Sequence, residues 1–239
     1  MGRRVVAALG IVVVLSGGWW VTGSKIFGLR TLRVVGASHL SRAEVARLAG
    51  LSDATNVFWF SSARAERSLE RDPWVASAKV SRTLPSEVTV DITERFPVAV
   101  LQMAPGVRVI VAPDGTVLGR ALGAGGLPLI DGSLRRAAGR SRVDPRTPGL
   151  AVAARLPSSA RSLISAISVS PDGRVTLSLR GGVPVRFGDA TQVEIKGQAL
   201  VAILSWAVRN GVHPAAVDVS APGAPALTPA EAATKGSGP

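Results

Sequence analysis

The sequence predicts an α+β protein: one apolar helix at its start, a β-α-α-β-β module, then a mostly antiparallel β domain with a long C-terminal helix and a final strand. Three observations carry this reading. Val5 to Val21 runs 17 residues without a charge, at the short end of the roughly 17–25 that a helix needs to cross a bilayer. Apolar residues alternate at strand period on both sides of two helical stretches. Further on, Pro113-Asp-Gly115 and Pro171-Asp-Gly173 each separate two strand patterns, with proline presetting φ, aspartate bonding locally and glycine accepting a positive φ.

The apolar run follows Arg3 and Arg4 and ends near Trp19 and Trp20, which suit an interfacial aromatic belt. This predicts a cytoplasmic tail over 1–4, a transmembrane helix over 5–22 and an extracytoplasmic bulk, the single-pass type II arrangement. A cleaved signal peptide has a shorter apolar core, about 7–15 residues, ending in small residues of A-x-A type. Here Ser16-Gly-Gly18 is followed by two tryptophans, a poor cleavage site.

Next, Leu32 and Val34 flank Arg33 in a short strand pattern. Ser41-Arg-Ala-Glu44 reads as a capping box, Val45, Leu48 and Ala49 follow at helical spacing, and Gly50 ends the helix. A second helix starts at Ser61 or Ser62, runs through Ala65 and Leu69, and stops before Pro73. Two strands complete the module: Trp74, Ala76, Ala78 and Val80 share one face, Leu84-Pro-Ser86 turns, and Val88, Val90 and Ile92 share a face of the second.

The run Asp72-Pro-Trp-Val75, Ala78-Lys-Val80, Arg82, Leu84-Pro85, Val88-Thr-Val90, Ile92 and Glu94-Arg-Phe-Pro-Val-Ala99 resembles the POTRA domain of the FtsQ/DivIB family of bacterial cell-division proteins. Pro73, Trp74, Val75, Arg82, Leu84, Pro85, Glu94, Arg95 and Pro97 carry the motif. The resemblance implies a POTRA domain over 27–98, a β domain over 99–227 and a disordered end over 228–239. It also implies a non-enzymatic divisome component, located in the plasma membrane at the septum, that binds FtsB/DivIC-like and FtsL-like partners and helps control septal peptidoglycan synthesis.

In the β domain, Val107–Val111 and Thr116–Leu118 flank the first Pro-Asp-Gly turn. Ile167–Val169 and Val175, Leu177 and Leu179 flank the second, and Gly181-Gly182 leads into Val183, Val185 and Phe187. Thr191-Gln-Val-Glu194 reads as another capping box, opening a helix with a stripe of Leu200, Ile203, Leu204, Ala207 and Val208 and a stop at Gly211. Val217-Asp-Val219 forms the final strand. The segment from Pro222 is too rich in Pro, Ala and Gly to order alone. An insert over 132–149 holds Arg135, Arg136, Arg140, Arg142 and Arg146 against Asp144 alone. It reads as a solvated loop or as an attraction site for anionic headgroups or wall polymers.

Composition removes other classes. The net charge is +12, with no cysteine and two histidines, so thiol and Cys-based metal chemistry are excluded. His39 and His213 belong to no ligand motif, and no S-x-x-K or G-x-S-x-G motif occurs. Gly123-Ala-Gly125-Gly126 resembles a dinucleotide loop only superficially, since Pro128 stands where the third glycine belongs. No cofactor is expected. At 4% aromatic content the chain lacks the stacking residues of a nucleic-acid surface. A POTRA-containing transport or secretion scaffold and an envelope enzyme stay open as alternatives, although no barrel-length series of strands follows the module.

What remains is recognition by backbone. A sheet with an exposed last strand offers unpaired N–H and C=O groups to an extended peptide. The resemblance implies that the C-terminal strand of the β domain takes up a segment of the FtsB/DivIC-like and FtsL-like partners, which makes Val217, Asp218, Val219, Ser220, Ala221, Gly223, Ala224, Ala226 and Leu227 the candidate residues. Pro222 and Pro225 cannot donate to a ladder, which shifts the expected pairing toward Val217–Ser220.

Overall fold

The computed structural model describes residues 22, 24–123, 125–131 and 142–230, in two compact units that divide between Arg95 and Phe96. The predicted span over 5–22, except Thr22, lies outside the described residues, as do Arg3, Arg4, Arg135, Arg136, Arg140 and residues 231–239 of the disordered end predicted over 228–239, whose Thr228 and Pro229 are instead part of a strand. Among the described residues no helix is long and apolar enough to cross a membrane.

Unit 1 runs from a short 3-10 turn at Lys25–Phe27 through β1 (Thr31–Val35), α1 (Arg42–Ala49), α2 (Ser62–Leu69), β2 (Val75–Thr83) and β3 (Glu87–Glu94). Its sheet has the order β1-β3-β2, with β1 parallel and β2 antiparallel to β3. Both boxed glutamate contacts at Ser41 form, and Gly50 closes α1 at φ 69°. A left-handed cap of this kind strongly favours glycine. The expected inward face of β2 changes phase at its start. Val75 is buried and Ala76 exposed, because the register shifts between Val75 and Ser77 and resets the alternation before Ala78 and Val80. Val45, Leu69, Val75, Val88 and Val90 are fully buried in this unit's own core.

Unit 2 contains β4 (Ala99–Ala104), β5 (Val107–Val111), β6 (Val117–Arg120), β7 (Leu129–Asp131), α3 (Pro148–Arg155), α4 (Ser158–Arg161), β8 (Ile164–Val169), β9 (Val175–Leu179), β10 (Pro184–Gly188), α5 (Val193–Arg209), β11 (Pro214–Asp218) and β12 (Ala226–Pro229). The sheet order is β12-β11-β10-β9-β8-β7-β4-β5-β6. Both Pro-Asp-Gly turns join antiparallel neighbours, β5 to β6 and β8 to β9. Parallel pairing enters at β4/β7, β7/β8 and β10/β11, where a hairpin or helices intervene between the strands, as parallel neighbours require. Phe187, Leu101, Leu150, Leu177 and Leu200 fill the core between sheet and helices.

Three expectations are corrected here. The 132–149 insert ends in α3 from Pro148, whose Gly149 is buried where a Cβ would lie 2.9 Å from Ile130 Cγ2. The second capping box does not form. Asp189 Oδ1 takes the Thr191 hydroxyl at 2.6 Å, Gln192 becomes the N-cap at φ 49°, and α5 begins at Val193 without a side-chain cap. Finally, Val217–Val219 is not the last strand, since residues 226–229 return antiparallel along β11 as β12.

Candidate functional site

The site grows from the turn that follows β11. Asp218 Oδ1 accepts the Ser220 hydroxyl at 2.6 Å and the Ser220 N–H at 2.9 Å, while Arg186 approaches Oδ2 at 3.4 Å. The Ser220 hydroxyl above all, with the backbone bond and Arg186 adding to it against partial burial, holds the Asp218 carboxyl below its usual range. This fixes the chain as it leaves β11. Ala224 N–H then bonds Ala221 O at 3.0 Å, and the resulting turn sends residues 226–229 back along the sheet.

Val217, Asp218 and Val219 therefore do not line an open edge. β11 pairs with β10 on one side and β12 on the other, and Val217 and Val219 are buried. The expected shift of pairing toward Val217–Ser220 fails because the chain's own terminal strand occupies that side. Ser220, Ala221, Gly223 and Ala224 form the connecting turn. Ala226 and Leu227 lie on β12 itself, together with Thr228 and Pro229, which sequence reasoning left out.

Backbone direction along β12 follows from two bonds. Val219 N–H donates to Arg186 O at 2.9 Å, so Val217 and Val219 face β10, and by alternation Ala216 and Asp218 face β12. Their partners Thr228 and Ala226 face inward, as does Ala230, whose N–H donates to His213 O at 2.7 Å. Leu227, opposite Val217, turns its N–H and C=O outward. Pro225 and Pro229 on either side have no N–H, so the outer edge offers one donor at Leu227 amid several carbonyl acceptors.

Beside this edge lies an apolar groove of about 580 Å³, lined by Ile203, Trp206, Val212, Pro225, Leu227 and Pro229. Trp206 stays 49% exposed. On the other flank of α5 a second groove of about 700 Å³ includes Leu163, Val201, Leu204, Val208 and Pro214. The start of α5 is fixed by Lys196, which is 2% exposed. Its Nζ donates to Asp189 O at 3.0 Å and Oδ1 at 2.7 Å and lies 5.2 Å from the Phe187 ring centroid. The lysine's bond, with Thr191 reinforcing it, holds Asp189 down to about 2.

The POTRA-type motif residues hold the fold of unit 1. Trp74 stacks on His39 with ring centroids 3.6 Å apart, and its backbone N–H donates to Asp72 Oδ1 at 2.9 Å. Arg82 Nη1 donates to Phe58 O at 2.7 Å and Phe60 O at 3.0 Å, and Arg95 Nη1 donates to Pro73 O at 3.0 Å. Val75 is buried, Pro85 lies exposed in the β2–β3 turn, and Pro97 follows the last strand of the unit. Glu94 accepts Ser38 Oγ at 2.7 Å and the N–H groups of His39 and Leu40, each at 2.9 Å. Of the arginine-rich insert, Arg142 reaches Asp114 Oδ2 at 3.0 Å and so ties the insert to the β5–β6 turn, while Arg146 is exposed.

The sequence matches two family models, the FtsQ-type POTRA domain over residues 27–95 and the C-terminal domain of cell division protein FtsQ/DivIB over residues 99–220. Relatives carry the name cell division protein FtsQ. One from Anaeromyxobacter sp. (strain K) is 34% identical over 76% of this chain and 64% of its own length. One from Rhodothermus marinus is 30% identical over 88% and 80%, and one from Streptomyces bingchenggensis 28% over 95% and 86%. The chain thus spans just under two thirds of the Anaeromyxobacter relative.

Proposed function

The chain belongs to the FtsQ/DivIB family of cell-division proteins, and from that premise we propose that it is a non-catalytic scaffold of the divisome. It is anchored by residues 5–22 with its bulk outside the cytoplasm, at the division septum. There it binds other single-pass division proteins, FtsB/DivIC-like and FtsL-like, and so helps control septal peptidoglycan synthesis.

The observation that carries this reading is the outer edge of β12, which pairs with no other strand among the described residues and ends the nine-stranded sheet they form. A partner segment in extended conformation adds a tenth strand: it donates N–H groups to the outward carbonyls of residues 225–229 and accepts the Leu227 N–H. Its side chains on one face meet the groove at Ile203 and Trp206, where burial of apolar surface supplements the ladder.

Substitution at Leu227 tests this cleanly, because its N–H points away from β11. Leu227→Pro removes the outward donor without removing a bond to β11, whereas Leu227→Val keeps the donor and an apolar side chain. Full-length protein in lipid nanodiscs, titrated with the extracytoplasmic region of an FtsB/DivIC-like partner, is expected to lose at least about tenfold in affinity with proline, or about 1.4 kcal/mol. The valine variant stays near wild type. Equal affinity for the proline variant and the wild type would overturn the assignment.

A further inference from the structure

We propose that the end of unit 1 nearest the apolar run rests on the outer surface of the bilayer, with Ile26, Trp59 and Leu84 inserted at the level of the lipid headgroups. This rests on the reading that residues 5–22 span the membrane.

Strand register brings three separate segments to one end of the sheet. Thr31 at the start of β1 pairs with Glu87 at the start of β3, and Glu87 pairs in turn with Thr83 at the end of β2. The stretch leading into β1 and the β2–β3 turn are therefore neighbours, and Arg30 and Thr31 N–H both donate to Ser86 O, at 2.9 and 3.2 Å. The loop before α2 joins them. Leu29 N–H bonds Thr55 O at 2.9 Å, Val57 N–H bonds Phe27 O at 2.7 Å, and Arg82 of β2 holds the carbonyls of Phe58 and Phe60. Asn56 Nδ2 also donates to Thr22 O at 2.8 Å, and Thr22 is the last residue of the predicted span. The loop that carries Trp59 is thus fastened to the point where the chain would leave the bilayer.

Each segment exposes a large apolar side chain at this end: Ile26 at 58%, Trp59 at 58% and Leu84 at 52%. Phe58 sets its ring edge-on to Trp59, with centroids 5.2 Å apart, and meets Phe27 at 5.5 Å. Convergence of exposed apolar groups from three segments marks a contact surface. An indole beside aliphatic side chains suits the interfacial layer, where one end is apolar and the other wet. Charge agrees with that occupant. Lys25 and Arg30 are exposed in the same stretch, Glu87 is engaged by Arg33 at 3.5 Å, and Asp53 lines the same recess as Lys25 and Arg30. Cationic side chains at this height attract anionic headgroups.

The absence of native cysteine permits single-site labelling in the full-length protein. Ile26→Cys, Trp59→Cys and Leu84→Cys each take a nitroxide, and the protein is reconstituted in phosphatidylglycerol/phosphatidylethanolamine vesicles. Val35→Cys, at the far end of β1 and 49% exposed, serves as the aqueous reference, and Leu15→Cys reports on the run itself. The expected result is severalfold greater collision with oxygen, relative to a water-soluble nickel chelate, at positions 26, 59 and 84 than at 35. Water-like collision at two or more of those three sites, with Leu15 in lipid, overturns the inference and leaves the anchor standing. A water-like label at Leu15 overturns the anchor and the inference together.

Discussion

Glu94→Gln removes the charge that gathers three donors from the β1–α1 connection: Ser38 Oγ, His39 N–H and Leu40 N–H. Burial alone would raise the carboxyl's pKa, but the backbone bond from Leu40, helped by Ser38 and His39, outweighs it and holds the group at about 2 instead of the ordinary 4.5. A depressed native pKa means that the stabilisation is present above the unfolded-state value and is lost as pH falls through the native one. The gap corresponds to about 3.4 kcal/mol at about 1.36 kcal/mol per pH unit, and solvent around this partly exposed side chain screens it to about 1–2 kcal/mol. A module this small loses about 4–8 °C in Tm per kcal/mol, so the variant melts roughly 4–16 °C lower at neutral pH. The assay is thermal unfolding of the full-length protein in detergent, in a Trp206→Phe background, followed at the near-ultraviolet dichroism of Trp74 on His39. The difference between wild type and variant should close as pH drops from about 5 toward about 2. A difference that stays constant across that range, or is absent at neutral pH, refutes the reasoning.

Two further predictions concern unit 2. Gly115→Ala puts a Cβ 1.9 Å from Val143 O at φ 81°, and because the obstacle is backbone, it should destabilise unit 2 by more than about 2 kcal/mol, read as a lower urea midpoint at unchanged slope. Asp189→Ala leaves the buried Lys196 ammonium without its carboxylate, whereas Lys196→Met removes the buried charge altogether. The first should therefore lower the unit 2 Tm more than the second, and the reverse order would show that the pair does not hold the start of α5.

What the sequence made legible divides by the range of the interaction. Ser41 and Glu44 cap α1 as their spacing implies, because both partners lie within one turn. Thr191 and Glu194 have the same spacing but fail to cap, since Asp189, two residues upstream, competes for the Thr191 hydroxyl and itself pairs with a lysine one helical turn into α5. The motif around Pro73–Pro97 identifies the POTRA module, yet its physical use emerges only in three dimensions: Arg82 holds carbonyls at 58 and 60, and Glu94 holds the donors at 38–40. For the candidate site the sequence named Ala226 and Leu227 but took Val217–Val219 for the last strand. Ala226-Leu-Thr-Pro229 is four residues long, ends in proline and follows another at Pro225, so no alternation distinguishes it from a loop. Only pairing with β11 makes it a strand. Trp206 and Ile203 were legible as part of α5, but their place beside the β12 edge was not.

Amide exchange at Leu227 tests the central claim most directly. In full-length protein in nanodiscs, this N–H faces solvent and should exchange fast, while the inward amides of Ala226 and Thr228 exchange slowly. On saturation with the extracytoplasmic region of an FtsB/DivIC-like partner, strand addition predicts that the Leu227 amide slows by at least about tenfold, as an exposed donor becomes part of a ladder. Tight partner binding with Leu227 exchange unchanged would contradict strand addition at β12.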